Sequence, residues 1–195
     1  MGVFLLFKRH RTYSSTNNTR YRMRNFVFKI LVGGDGAVGK TTLLRKFVDG
    51  TFDASSIATV GVDFFIKQVM YENIGNCTLQ IWDLGGQERF RHLLEAFIMG
   101  AKGALLLFDL TTMPKIDHIL NWVNIVRMHD LDLPILLVGT KLDLEEFIAV
   151  DDESAKSIKN TFHMIDYIKT SSKTGINIEK VFDVMVEELM KKHKY

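Results

Sequence analysis

The chain has 195 residues, 47% of them hydrophobic and 25% charged, with a net charge of +2; this suits one domain with a self-sufficient core and excludes a collagen, a disulfide scaffold or an unfolded tail protein. Its one cysteine, Cys77, forms no internal bridge, which points to a reducing, cytoplasmic setting, and its longest apolar runs, about six residues near Gly103–Phe108, are far from the ~18 that a membrane span needs. Residues 1–25 carry six bases and no acid, whereas the remainder carries 19 bases against 23 acids, so the body is mildly acidic and offers no basic face for nucleic acid.

Residues 1–24 read as an extension and 25–195 as the folded domain. Ser14 to Thr19 is Ser, Thr and Asn only, a composition that competes with regular structure. Val3–Phe7 is apolar but too short for a secretory signal, and Leu6 stands where a myristoylation signal needs Ser or Thr. Two readings stay open: a disordered or misassigned start, with translation beginning at Met23, or a weak anchor in which residues 1–11 touch anionic lipid. From there the chain alternates. Phe26–Gly33 is a strand, Thr41–Asp49 a helix, and Val62–Tyr71 and Cys77–Asp83 are strands joined by the turn residues Asn73, Gly75 and Asn76. Gly103–Asp109 is a continuous apolar strand. Pro114 opens a helix through about His129, with Ile116, Ile119, Leu120 and Val123 on one face. Pro134–Gly139 is a strand, Asp151–Thr161 a helix with acids in its first turn, Ile165–Lys169 a short strand and Ile176–Lys192 an amphipathic helix. The pattern predicts an α/β three-layer sandwich: a six-stranded, mostly parallel sheet with one antiparallel edge strand, binding its ligand beyond the carboxyl ends of the strands.

The motifs fall at that edge. Gly34-Asp35-Gly36-Ala37-Val38-Gly39-Lys40-Thr41 fits the phosphate-binding P-loop between a strand and a helix. Its amides wrap a β-phosphate, the helix start adds its positive end, Lys40 reaches the β- and γ-phosphates, and the Thr41 hydroxyl ligates magnesium; Thr42 completes this set of candidate binding residues. Asp83-Leu84-Gly85-Gly86 is a D-x-x-G in which Asp83 can hold magnesium and Gly86 can offer its N–H to a γ-phosphate. Gln87, a neutral amide, can orient an attacking water, or else is a solvated loop residue. The loop between Gly50 and Gly61 has no apolar period; in it Thr59 could meet metal and γ-phosphate together. In Thr140-Lys141-Leu142-Asp143 the carboxylate can accept from two guanine N–H donors that adenine lacks, and the Lys141 stem can lie along the purine. Thr170-Ser171-Ser172-Lys173 could give a backbone N–H to the guanine oxygen, or be a polar loop leading into a helix.

In this order the five stations resemble the Ras superfamily of small GTPases over about residues 26–192. Val60-Gly61-Val62-Asp63-Phe64, Trp82-Asp83, Gln87-Glu88-Arg89-Phe90-Arg91 and Gly103 through Thr111 are most similar to the Rab branch. The resemblance implies a P-loop G domain that binds GTP and GDP with Mg2+ held by Thr41, Thr59 and Asp83. It singles out Thr59 among the threonines, makes Gln87 the catalytic residue, packs Phe52 edge-on against guanine and leaves room at Gly36 beside the γ-phosphate. The base end is then Thr140, Lys141, Asp143, Ser171, Ser172 and Lys173. It implies a slow GTP-hydrolysing switch, cytoplasmic and at most weakly membrane-associated, whose loops 50–62 and 84–93 meet effectors, an exchange factor and an activating protein. A guanine-nucleotide-binding module that does not cycle is the alternative, and a P-loop ATPase or nucleotide kinase is disfavoured by Asp143. Five positions depart from the usual pattern: Leu84-Gly85 for Thr-Ala, Ala37 for Gly, Thr140 for Asn and Ser172 for Ala. The chain also ends on Lys191-Lys192-His193-Lys194-Tyr195 without the cysteines that carry prenyl anchors in Rab, Ras and Rho proteins.

Overall fold

A computed structural model describes residues 24–53, 59, 61–72, 74–86 and 94–192. Outside the described residues lie residues 1–23 of the extension, residues 54–58 and Val60 of the loop 50–62, the turn residue Asn73, Gln87 with the following residues to 93, and the C-terminal 193–195.

Strands β1 (Asn25–Gly33), β2 (Val62–Tyr71), β3 (Gly75–Leu84), β4 (Gly103–Asp109), β5 (Ile135–Thr140) and β6 (Asp166–Lys169) form one sheet in the order β2-β3-β1-β4-β5-β6. Only the β2–β3 pair is antiparallel; every other pair is parallel. The anticipated antiparallel edge is therefore present. The apolar runs explain the centre: residues 103–108 of β4 and all of β5 are buried, as expected of strands covered on both faces. The edge strand β2 instead leaves Phe64 and Ile66 exposed.

Helices α1 (Lys40–Asp49) and α5 (Ile178–Lys192) cover one face of the sheet. Phe47 of α1 stacks on Phe182 of α5 with ring centroids 3.6 Å apart, and burying each such side chain stabilises by about 2–3 kcal/mol. Helices α2 (Glu95–Ile98), α3 (Ile116–Val126) and α4 (Asp152–Thr161) cover the other face. There Trp122, Val123 and Val126 of α3 pack with Leu106 and Leu137 of the central strands.

Boundaries shift for local reasons. Gly75 and Asn76 belong to β3 and not to the turn before it. Gly75 has φ +116 and pairs with Tyr71, and Asn76 donates to the Arg24 carbonyl at 3.0 Å, so the strand starts where β1 can receive it. Helix α3 is shorter than its apolar face suggests. Lys115 is extended at φ −74, ψ 126, which leaves Pro114 outside the first turn. At the far end Arg127 turns away, and its guanidinium binds the carbonyls of Leu133, Phe162 and His163. Helix α5 begins two residues late because Gly175 (φ +83) and Asn177 (φ +59) form a left-handed turn. The four-residue α2 and a 3-10 turn at Glu145–Phe147 have no apolar period and were not anticipated.

Candidate functional site

The parallel arrangement brings the carboxyl ends of β1, β3, β4, β5 and β6 to one edge, and each carries a piece of the site. After β1 the chain turns through residues 34–39 into α1. Gly34 has φ +137, and a Cβ there would lie 2.3 Å from the Leu107 carbonyl oxygen, so only glycine fits against β4. Gly39 (φ +95) and Ala37 (φ +63) are left-handed too, whereas space is open at Gly36. Lys40 is buried, and its Nζ lies across the loop, donating to the carbonyls of Gly34 at 2.7 Å and Asp35 at 2.8 Å. A positive charge is thus fixed at the mouth of a ring of amides, which is a cradle for an anion.

Beside it three side chains converge. Thr41 Oγ1 lies 2.5 Å from Asp83 Oδ2 and 2.7 Å from Thr59 Oγ1, and Thr59 Oγ1 lies 3.3 Å from the same carboxylate oxygen. Asp83 is fully buried at the end of β3, and its other oxygen, Oδ1, has no hydrogen-bond partner. Burial pushes its carboxyl above the ordinary range; the Thr41 bond, the nearby Lys40 charge and the Thr59 bond offset only part of that. One orphaned carboxylate oxygen and two hydroxyls make an all-oxygen donor set, which fits a hard divalent cation such as magnesium that keeps waters and phosphate oxygens as its other ligands. Among the described residues no group of three His, Cys, Asp or Glu side chains gathers to suit a softer metal.

Gly85 and Gly86 close this end. Gly85 N–H donates to the Gly61 carbonyl at 2.7 Å, and a Cβ at 85 would stand 2.6 Å from that same oxygen. A Cβ on Gly86 would stand 2.5 Å from the Asp35 carbonyl carbon and the Gly36 nitrogen. The departure at Leu84-Gly85 now has a cause: an alanine at 85 would collide with Gly61, while Leu84 fills the second core.

The other end is a cleft of about 480 Å3, reached by Thr42, Phe52, Lys141, Asp143, Ser172 and Lys173. Ser171 is buried; its Oγ donates to Asp143 Oδ1 at 2.7 Å and accepts from Thr174 N–H at 3.1 Å, which fixes the carboxylate's direction. Lys141, left-handed at φ +62, places Nζ 2.6 Å from Asp109 Oδ2. Burial raises the Asp109 carboxyl, but the bonds from Lys141 and from the Thr111 amide and hydroxyl outweigh it and leave the group below its usual range. Asp109 belongs to none of the site motifs read from the sequence; its one signal there is an acid ending an apolar strand. Thr140, where Asn is usual, is buried, and its Oγ1 reaches the Val38 carbonyl at 2.6 Å and the Phe108 carbonyl at 3.0 Å. The hydroxyl thereby pins the P-loop to β4 and β5. Thr140→Val keeps the shape and removes the bond, so we expect a loss of about 1–3 kcal/mol in denaturant unfolding; an unchanged midpoint would show that the hydroxyl contributes nothing.

All sequence-predicted site residues except Gln87 lie along this one edge; Gln87 is outside the described residues.

A family model described as Ras family matches residues 29–191. The chain is 38% identical over 169 residues to the Ras-related protein Rab-8B of Dictyostelium discoideum, covering 86% of this chain and 82% of that one. It is 38% identical over 179 residues to Rab-27A of Rattus norvegicus, covering 86% and 80%. With Rab-1 of Theileria parva the identity is 39% over 170 residues, covering 86% and 76%.

Proposed function

This chain belongs to the Ras family, as a Rab-like small GTPase, and on that premise we propose that it hydrolyses GTP slowly to GDP and acts as a nucleotide-dependent switch. One observation carries the proposal: Thr41, Thr59 and Asp83, from three separate segments, turn their oxygens to one point beside Lys40. Thr59 and Asp83 sit on or next to the loops 50–62 and 84–93. A γ-phosphate ligated at this point would tie both loops to nucleotide state, and its loss would release them.

The residues divide the work. Amides of residues 34–41 and Lys40 hold the β- and γ-phosphates, and Gly86 offers its N–H to the γ-phosphate. Thr41, Thr59 and Asp83 would hold magnesium, which when bound neutralises phosphate charge. Asp143 accepts from guanine, oriented by Ser171; Lys141 lies along the purine, positioned by Asp109; Phe52 flanks the base, and Ser172 and Lys173 border it. Gln87 orients the attacking water. Effectors, an exchange factor and an activating protein would read or reset the two loops.

Single-turnover assays with labelled GTP and ATP test this. The parent should cleave bound GTP slowly and leave ATP intact. Gln87→Leu should bind GTP as the parent does and cleave it at least about tenfold more slowly, because the amide acts on water and not on the ground-state nucleotide. GTP that is bound but never cleaved would make the protein a non-cycling module. Cleavage of ATP at the same rate would overturn the guanine assignment.

A further inference from the structure

Asp35 is an anomaly in an anion cradle: it places a carboxylate between Gly34 and Gly36. Its backbone faces inward, with the carbonyl accepting from Lys40 Nζ at 2.8 Å. Its side chain leaves the loop toward α3. Asp35 Oδ2 lies 2.6 Å from His118 Nδ1, and Oδ1 accepts the indole N–H of Trp122 at 3.1 Å. A carboxylate only accepts, so His118 Nδ1 carries the proton.

This bracket is built by sequence spacing. His118 and Trp122 are four residues apart and share one face of α3. Trp122 is buried and lies over the end of β1 because Gly33 lacks a side chain; a Cβ there would stand 2.9 Å from Trp122 Cε3. The side chains of Asp35 and His118 are 38% and 39% exposed, so as an ion pair the contact is screened and adds little stability. Orientation is the larger effect. Two like charges held close together repel, and more strongly where water is excluded. Gly86, the γ-phosphate sensor, packs against the Asp35–Gly36 peptide, so Asp35 stands at the γ end of the cradle.

We propose that His118 and Trp122 are positioning residues for the GTP-bound state: they hold the Asp35 carboxylate turned away from the γ-phosphate and so set the preference between GTP and GDP. The proposal rests on the guanine-nucleotide reading of the cleft.

Competition of GDP and of GTPγS against a fluorescent GDP, on the full chain, tests it. His118→Ala should lower affinity for GTPγS relative to GDP by about tenfold, since a carboxylate that has lost its His118 bond is held away less firmly and repels the third phosphate most. His118→Gln, which keeps an N–H donor, should restore the parent ratio. In the Asp35→Asn background, His118→Ala should leave the ratio unchanged, because no charge remains to be turned aside. Trp122→Phe, which keeps a ring over Gly33 and removes the donor, should shift the ratio in the same direction as His118→Ala. An unchanged ratio in both single variants, or the same fall in the Asp35→Asn background, overturns the proposal. So does an equal loss of both nucleotides, the mark of a merely structural role. A parent that binds neither nucleotide overturns the guanine-nucleotide reading instead.

Discussion

Asp143→Asn is expected to weaken GDP binding by about three orders of magnitude and to transfer the preference to XDP. The carboxylate of Asp143 can accept from the guanine N1–H and exocyclic amine together, and Ser171 Oγ, 2.7 Å away, holds it in that direction. An amide offers one acceptor and one donor. Guanine would then meet a donor with a donor, which loses a hydrogen bond and leaves both groups without that partner. Xanthine replaces the amine by a carbonyl, which the new N–H satisfies. Competition binding with GDP, XDP and ADP measures all three affinities. Equal affinity of the parent for ADP and GDP would sink the selector role, and a variant that still prefers GDP would show that Ser171 and Lys141, not Asp143, choose the base.

The second large effect is at the metal end. Thr41→Asn should lower GTP affinity by about a hundredfold, and GDP affinity less, because the γ-phosphate relies on the cation more than the β-phosphate does. Thr41 Oγ1 lies 2.5 Å from Asp83 Oδ2 and 2.7 Å from Thr59 Oγ1, so the larger amide would crowd Thr59. Asp83 works against the metal-free fold. Its raised pKa means that its contribution to stability is present in acid and lost as pH rises through the raised value; magnesium, which needs the ionised form, reverses that trend. Nucleotide release with and without a chelator is the readout. The chelator should hasten GDP release from the parent strongly and from Thr41→Asn hardly at all. A parent indifferent to the chelator would exclude magnesium from the site.

The mostly parallel sheet and its antiparallel edge were legible because the runs that form β4 and β5 are apolar almost throughout, while those that form β2 and β3 are separated by only a few turn residues; the order of the strands was not. The P-loop was legible because its glycines answer local backbone demands, as Gly34 does beneath Leu107. Contacts across the fold were not legible. Nothing in the Thr140 neighbourhood announces that its hydroxyl reaches Val38, 102 residues away in sequence. The pairing of Asp109 with Lys141 is of the same kind, since it depends on β4 and β5 lying side by side in register Asp109↔Thr140. Nothing in the sequence singles out His118, which meets Asp35 only because the loop after β1 lies beside α3. Helix ends were misjudged where a distant stretch of chain decides where the helix stops, as the Phe162 and His163 carbonyls do by accepting from the Arg127 guanidinium.

The bond from Gly85 N–H to the Gly61 carbonyl joins the two nucleotide-facing loops at their roots. Neither root can move far without breaking it or dragging the other. If the loops switch as proposed, they would therefore carry one message and not two, a single bit shared by both. Reciprocity follows: any molecule that favours one arrangement of the first loop changes, by the same factor, the affinity of any molecule that favours a particular arrangement of the second. A protein grasping residues near Gly61 alone would thus alter what another protein finds near Gly86, without the two ever touching.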